Sequence, residues 1–119
     1  MKQGQLIAVH NRLYEYIKCD EALKIHIVSE VGIDWDGILT STHILSYFYP
    51  KQLEEGFNKI DLTTRQWYGL VEHILRQDYE LTEEEIAEAT DDIFYRCFTI
   101  TSKPTVEELT NYIAEYMDR

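Results

Sequence analysis

Apolar residues open the chain at helical spacing. Leu6, Val9 or His10, Leu13 and Ile17 stand three or four apart, leaving Arg12, Glu15 and Lys18 for solvent. The pattern predicts a first helix over roughly residues 4–18. Asp20 then has the character of an N-cap, and Ala22, Leu23, Ile25, Ile27, Val28 and Val31 continue the apolar run until Gly32 stops it. A second helix is expected there. Its β-branched residues between Ile25 and Val28 leave a short strand near residues 25–31 as the minor alternative.

Asp34-Trp35-Asp36-Gly37 has turn composition, and Ile38, Leu39, Ile44, Leu45 and Phe48 follow it up to Pro50, which predicts a third helix over roughly 37–49. Leu53 and Phe57, four apart, suggest a short fourth helix between Lys51 and Asn58. Asp61, Thr63 or Thr64 can cap the fifth, whose stripe is Trp67, Leu70, Val71, Ile74 and Leu75 and whose end falls near Gln77. Thr82-x-x-Glu85 and Thr105-x-x-Glu108 are capping boxes that open the sixth and seventh helices. The sixth is expected to bury Ile86, Thr90, Ile93, Phe94, Cys97 and Phe98, and the seventh Leu109, Tyr112, Ile113, Tyr116 and Met117. Without repeats or a Gly/Ser linker, the expectation is an all-α fold, a compact bundle of about six or seven short helices in one domain spanning residues 1–119.

Charge changes this picture more than composition does. Asp and Glu number 22 against 11 Lys and Arg, a formal net charge of −11. The excess lies almost wholly after residue 60. No basic patch relieves it, so direct binding to nucleic acid is disfavoured. No run approaches the ~18 apolar residues of a membrane span and the N-terminus lacks a signal-peptide core, so a cytoplasmic protein without membrane contact is expected. Cys19 and Cys97, without CxxC spacing, are expected as two buried thiols.

Few motifs carry chemistry. Asp34-Trp35-Asp36-Gly37-Ile38-Leu39-Thr40 resembles the first motif of haloacid-dehalogenase-type phosphatases. The resemblance implies Asp34 as nucleophile and Asp36 as general acid beside a magnesium ion, within a doubly wound parallel sheet. Ile38 departs from the family's Thr or Val. Asp34, Asp36 and Gly37 also fit positions three, five and six of a calcium loop, but Gly32 and His43 would occupy positions one and twelve, which rules that loop out. No Glu precedes a His by three residues, as a di-iron bundle requires, and His26 with Glu30 supplies only two ligands. No metal site and no cofactor are therefore expected.

The acidic tract from Asp78 to Asp92 contains no Lys or Arg. On a helix starting near Glu83, residues Glu84, Glu88 and Asp91 share one face, flanked by Glu85 and Asp92, opposite the Ile86/Ile93 stripe. Like charges on adjacent turns cost a few tenths of a kcal/mol per pair. A basic partner would remove that cost, and Tyr95 beside the ridge supplies an anchor for it. The expected function is a non-enzymatic inhibitor that occupies the basic, nucleic-acid-binding surface of a partner such as a nuclease. Its partner-binding residues would be Glu84, Glu85, Glu88, Asp91, Asp92 and Tyr95. In size, charge and helicity this resembles phage anti-restriction and anti-CRISPR proteins that mimic DNA, and acidic immunity proteins of nuclease toxins. The competing expectations are the magnesium-dependent phosphatase-like enzyme at Asp34 and Asp36, and a structural or regulatory helical module whose acids serve solubility.

Overall fold

Residues 1–57, 60–98 and 104–118 are described in a computed structural model of the chain, without the side chains of Cys97 and Phe98. The fold is α+β rather than all-α. A four-stranded sheet comes first, with strands β1 (Leu6–Val9), β2 (Arg12–Asp20), β3 (Ile25–Ile33) and β4 (Leu39–Phe48) in the order β1-β2-β3-β4. Helices α1 (Pro50–Gly56), α2 (Thr64–Asp78), α3 (Glu83–Phe98) and α4 (Val106–Met117) follow. The helices expected over 4–18, 20–32 and 37–49 are thus strands. Internal contacts group the chain into two compact units, one of residues 1–33 and 40–61, the other of 34–39 and 62–119.

In the first unit the strands follow from turns that a helix cannot contain. His10 and Asn11 both adopt left-handed backbone (φ 48° and 65°) and close a two-residue hairpin in which Val9 pairs with Arg12. Positive φ at both central positions is the geometry that matches the twist of paired strands. Asp20 caps a turn, not a helix. Its Oδ1 accepts the backbone N–H groups of Ala22 and Leu23, both at 3.1 Å, and left-handed Lys24 (φ 55°) returns the chain to Ile25, the partner of Asp20. Between Tyr16 and Lys18 the β2–β3 register shifts, leaving Ile17 as the extra residue of a bulge.

One sheet face gathers Ile7, Val9, Tyr14, Tyr16 and Val28 with Leu53 of α1 into a buried cluster, and Phe48 and Phe57 pack against it. Tyr14 meets the Phe48 ring edge-on at 5.2 Å between centroids. Ala8 and Leu13, on the opposite face, are buried too. Arg12 pairs with Glu30 at 3.1 Å, and the Tyr16 hydroxyl lies 2.9 Å from His26 Nδ1. The suggested His26/Glu30 pair therefore sits on a strand, and each member engages a different neighbour. Cys19 is exposed on β2, contrary to the buried thiol expected; the Cys97 and Phe98 side chains expected in the core, and Asn58 at the end of the fourth helix, lie outside the described residues.

The second unit has the helices that the sequence indicates. Thr63, Thr82 and Thr105 each close a reciprocal box with the residue three further on, Gln66, Glu85 and Glu108. Each box satisfies two backbone donors left over at a helix start. Behind the caps, Trp67, Leu70, Val71, Ile74 and Leu75 of α2, Ile86, Ala89 and Ile93 of α3, and Val106, Leu109 and Ile113 of α4 are buried. Thr90 is fully buried as expected, and among the described residues its Oγ1 has no hydrogen-bond partner.

Candidate functional site

Burial fixes the orientation of α3. With Ile86, Ala89, Thr90 and Ile93 buried, the opposite line of the helix runs through Glu84, Glu88, Asp91 and Tyr95, successive steps of four, three and four residues. All four are exposed, and Tyr95 is 70% exposed at the C-terminal end of the row. The acids around this line have different local tasks. Glu85 is held by its capping box, whose Thr82 bonds lower its pKa. Glu83 pairs with Arg76 of α2 at 3.0 Å. Asp92 pairs with Arg96 at 3.0 Å and also bonds the Tyr116 hydroxyl of α4, which together with burial raises the tyrosine's pKa. Of the six residues suggested, Glu85 and Asp92 on the flank of the ridge thus bond the protein's own groups.

Asp91 is both exposed and fixed. The Tyr68 hydroxyl of α2 donates to its Oδ1 at 2.6 Å, and that bond, reinforced by burial, pushes the tyrosine pKa up to about 12. A short bond to an ionised acceptor is the strong kind. It locks one carboxylate of the strip in place. The Tyr68 ring also packs on Phe94, and the Arg65 guanidinium lies 5.4 Å from its centroid. Tyr79 is the partly buried C-cap residue of α2, where burial and the charges of Asp78 and Asp118 raise its pKa.

Charge is divided unevenly between the two units. The helical unit has fifteen acids and five bases, a net charge of −10, whereas the sheet unit has seven acids and six bases, a net charge of −1.

Residues Asp34–Ile38 form a five-residue turn between β3 and β4. Asp34 Oδ1 accepts the N–H groups of Asp36 and Ile38, each at 2.9 Å, and the Asp34 carbonyl accepts from Gly37 and from Gln66 Nε2. The Asp34 carboxylate thus serves the turn itself. Asp36 borders a pocket of about 350 Å³ together with Arg65, Glu72, His73 and Arg76, whose floor is formed by Gly37 and Gly69 in direct contact. Among the described residues no three His, Cys, Asp or Glu side chains converge to hold a metal ion. The sequence reading missed this pocket. Its trace is the spacing Arg65, Gly69, Glu72, Arg76 along one face of α2, with a glycine at the point of close approach. No helix among the described residues is long and apolar enough to cross a membrane. Comparison with protein families, curated proteins and solved structures returns no match.

Proposed function

We propose that this chain is a non-enzymatic binding protein whose α3 strip docks on the basic, nucleic-acid-binding surface of a partner protein and keeps nucleic acid from it. The observation that carries the reading is the uninterrupted exposed row Glu84–Glu88–Asp91–Tyr95, a line of carboxylates ending in an outward aromatic ring. The unit's net charge of −10 supplies long-range attraction to a cationic groove and sets a fast, salt-sensitive encounter. Tyr95 then supplies the apolar area that charges lack. Asp91, pre-positioned by Tyr68, loses little freedom on binding.

The test pairs capture with competition. Proteins retained by the immobilised chain at low salt are purified, and their binding to labelled nucleic acid is titrated with wild type and with the double variant Glu84→Lys/Glu88→Lys. Wild type is expected to displace the nucleic acid, with affinity falling steeply as salt rises. The variant should be weaker by about ten- to a hundredfold. Equal competition by both proteins, or competition indifferent to salt, refutes the proposal.

A further inference from the structure

The sheet unit presents a second surface of opposite character. β4 is an outer strand of the sheet, and Ile44, Leu45, Tyr47 and Tyr49 on and just after it are 57%, 65%, 56% and 52% exposed. From Gly37 to Pro50 the sequence contains no Asp, Glu, Lys or Arg, the longest such run in the chain. Edge strands are ordinarily protected by inward charges, lysines or prolines, and β4 has none of these within it. Its one irregularity is His43, whose left-handed backbone (φ 57°) is held by Thr42, with Oγ1 donating to the Glu30 carbonyl and accepting the Ile44 N–H. Beyond that point Ile44–Phe48 is regular strand.

From this we infer that β4 is a self-association edge, on which a second copy of the chain pairs its own β4 antiparallel about a two-fold axis. A partner selected by charge gains nothing from an uncharged strand. A second copy brings the same uncharged strand on a unit of net charge −1, so the strands that would pair add no like charges to the new ladder. Two-fold pairing is self-complementary, setting leucine, isoleucine and tyrosine side chains against their equivalents across the new ladder and continuing the antiparallel pattern of β1–β2 and β2–β3. The partly covered side chains offer on the order of 300–500 Å² per copy. Over both copies that makes about 600–1,000 Å², at or below the ~1,000 Å² of a specific interface, so the dimer is weak and concentration-dependent. It is independent of the α3 strip.

Sedimentation velocity on the full chain, from roughly 1 μM to 1 mM, tests this directly. Wild type is expected to pass from monomer to dimer in the tens of micromolar, equally at low and at high salt. Leu45→Glu and Tyr47→Glu, checked for folding by circular dichroism, should each move the midpoint at least tenfold upward. Leu23→Glu, equally exposed but in the β2–β3 loop, and Glu84→Lys/Glu88→Lys should leave it in place. Hydrogen exchange on wild type should show the β4 amides gaining protection with concentration, a readout that needs no variant. A wild type that stays monomeric, a dimer that salt dissolves, or Leu23→Glu acting as strongly as Leu45→Glu overturns the inference.

Discussion

Gly69→Ala sets two physical effects of opposite sign against each other. Gly69 lies in the interior of α2, where alanine is favoured over glycine by about 0.8–1.0 kcal/mol. Propensity alone therefore predicts stabilisation. A Cβ at position 69, however, would lie 2.3 Å from the Gly37 carbonyl oxygen and 2.6 Å from the Gly37 C and Cα atoms. These are backbone atoms of a turn already closed by four hydrogen bonds among Asp34, Asp36, Gly37 and Ile38, so neither side can yield cheaply. Overpacking of this kind costs about 1–3 kcal/mol, sometimes more. Because the crowded groups are backbone on both sides, the cost falls in the upper part of that range, about 2–3 kcal/mol, and after the propensity gain the net expectation is destabilisation by about 1–2 kcal/mol, a fall in Tm of roughly 4–8 °C for a chain of this size. Thermal and urea unfolding followed by circular dichroism measure it. Gly37→Ala meets the same contact and adds the strain of its φ of +86°, so it should lose about 1–2 kcal/mol more. Both substitutions crowd one contact, so the double variant should depart from additivity. A Gly69→Ala protein as stable as wild type, or more so, would refute the close approach of turn and helix.

Three further outcomes are expected. Thr90→Val removes a fully buried hydroxyl that has no hydrogen-bond partner among the described residues while keeping its shape, and should raise stability by about 1 kcal/mol in urea denaturation. Asp34→Ala should cost about 1–2 kcal/mol by removing the acceptor of two backbone bonds, whereas Asp34→Asn, which retains an acceptor oxygen, should cost little; magnesium-dependent phosphate-ester hydrolysis lost in Asp34→Asn would instead favour an enzyme. The third concerns pH. Tyr68 has its pKa raised in the native state from 10.0 to about 12, so its contribution to stability is whole below pH 10 and is lost as pH rises through 12. Urea midpoints of wild type should fall more steeply over that window than those of Tyr68→Phe, and ultraviolet titration should show one fewer late-ionising tyrosine in the variant.

The helical half was legible because its local signals agree. Thr-x-x-Glu boxes at 82–85 and 105–108 precede apolar stripes at a spacing of three and four, and cap chemistry and burial point to the same elements. The sheet half misled for identifiable reasons. Ile7, Ala8 and Val9 are buried in succession, as are Leu13 and Tyr14, so burial on both faces erases the alternation that marks a strand. The bulge at Ile17 then shifts the phase midway along β2 and leaves Leu6, Val9, Leu13 and Ile17 in accidental helical register. The turns were disguised as well, because left-handed positions at His10, Asn11 and Lys24 lack the glycine that usually announces them. The β-branched residues of 25–33 and Thr40, Thr42 and Ile44 of β4 were the available signal. On the candidate strip, spacing placed Glu84, Glu88, Asp91 and Tyr95 on one line. It carried no sign of the Tyr68 bond that fixes Asp91, since that bond joins residues of two different helices.

The assignment of residues 34–39 to the helical unit has a practical corollary for dissecting the molecule. A fragment started at Leu62 would contain all of α2, α3 and α4, yet would lack the peptide that lies against Gly69 and accepts the Gln66 side-chain amide. Removing the segment from the other end strips the β3–β4 hairpin of its connection. A single cleavage after Asp61 leaves the sheet unit whole but the helical unit short of residues 34–39, so a minimal helical version of this protein requires a circular permutation or a synthetic replacement for the missing turn.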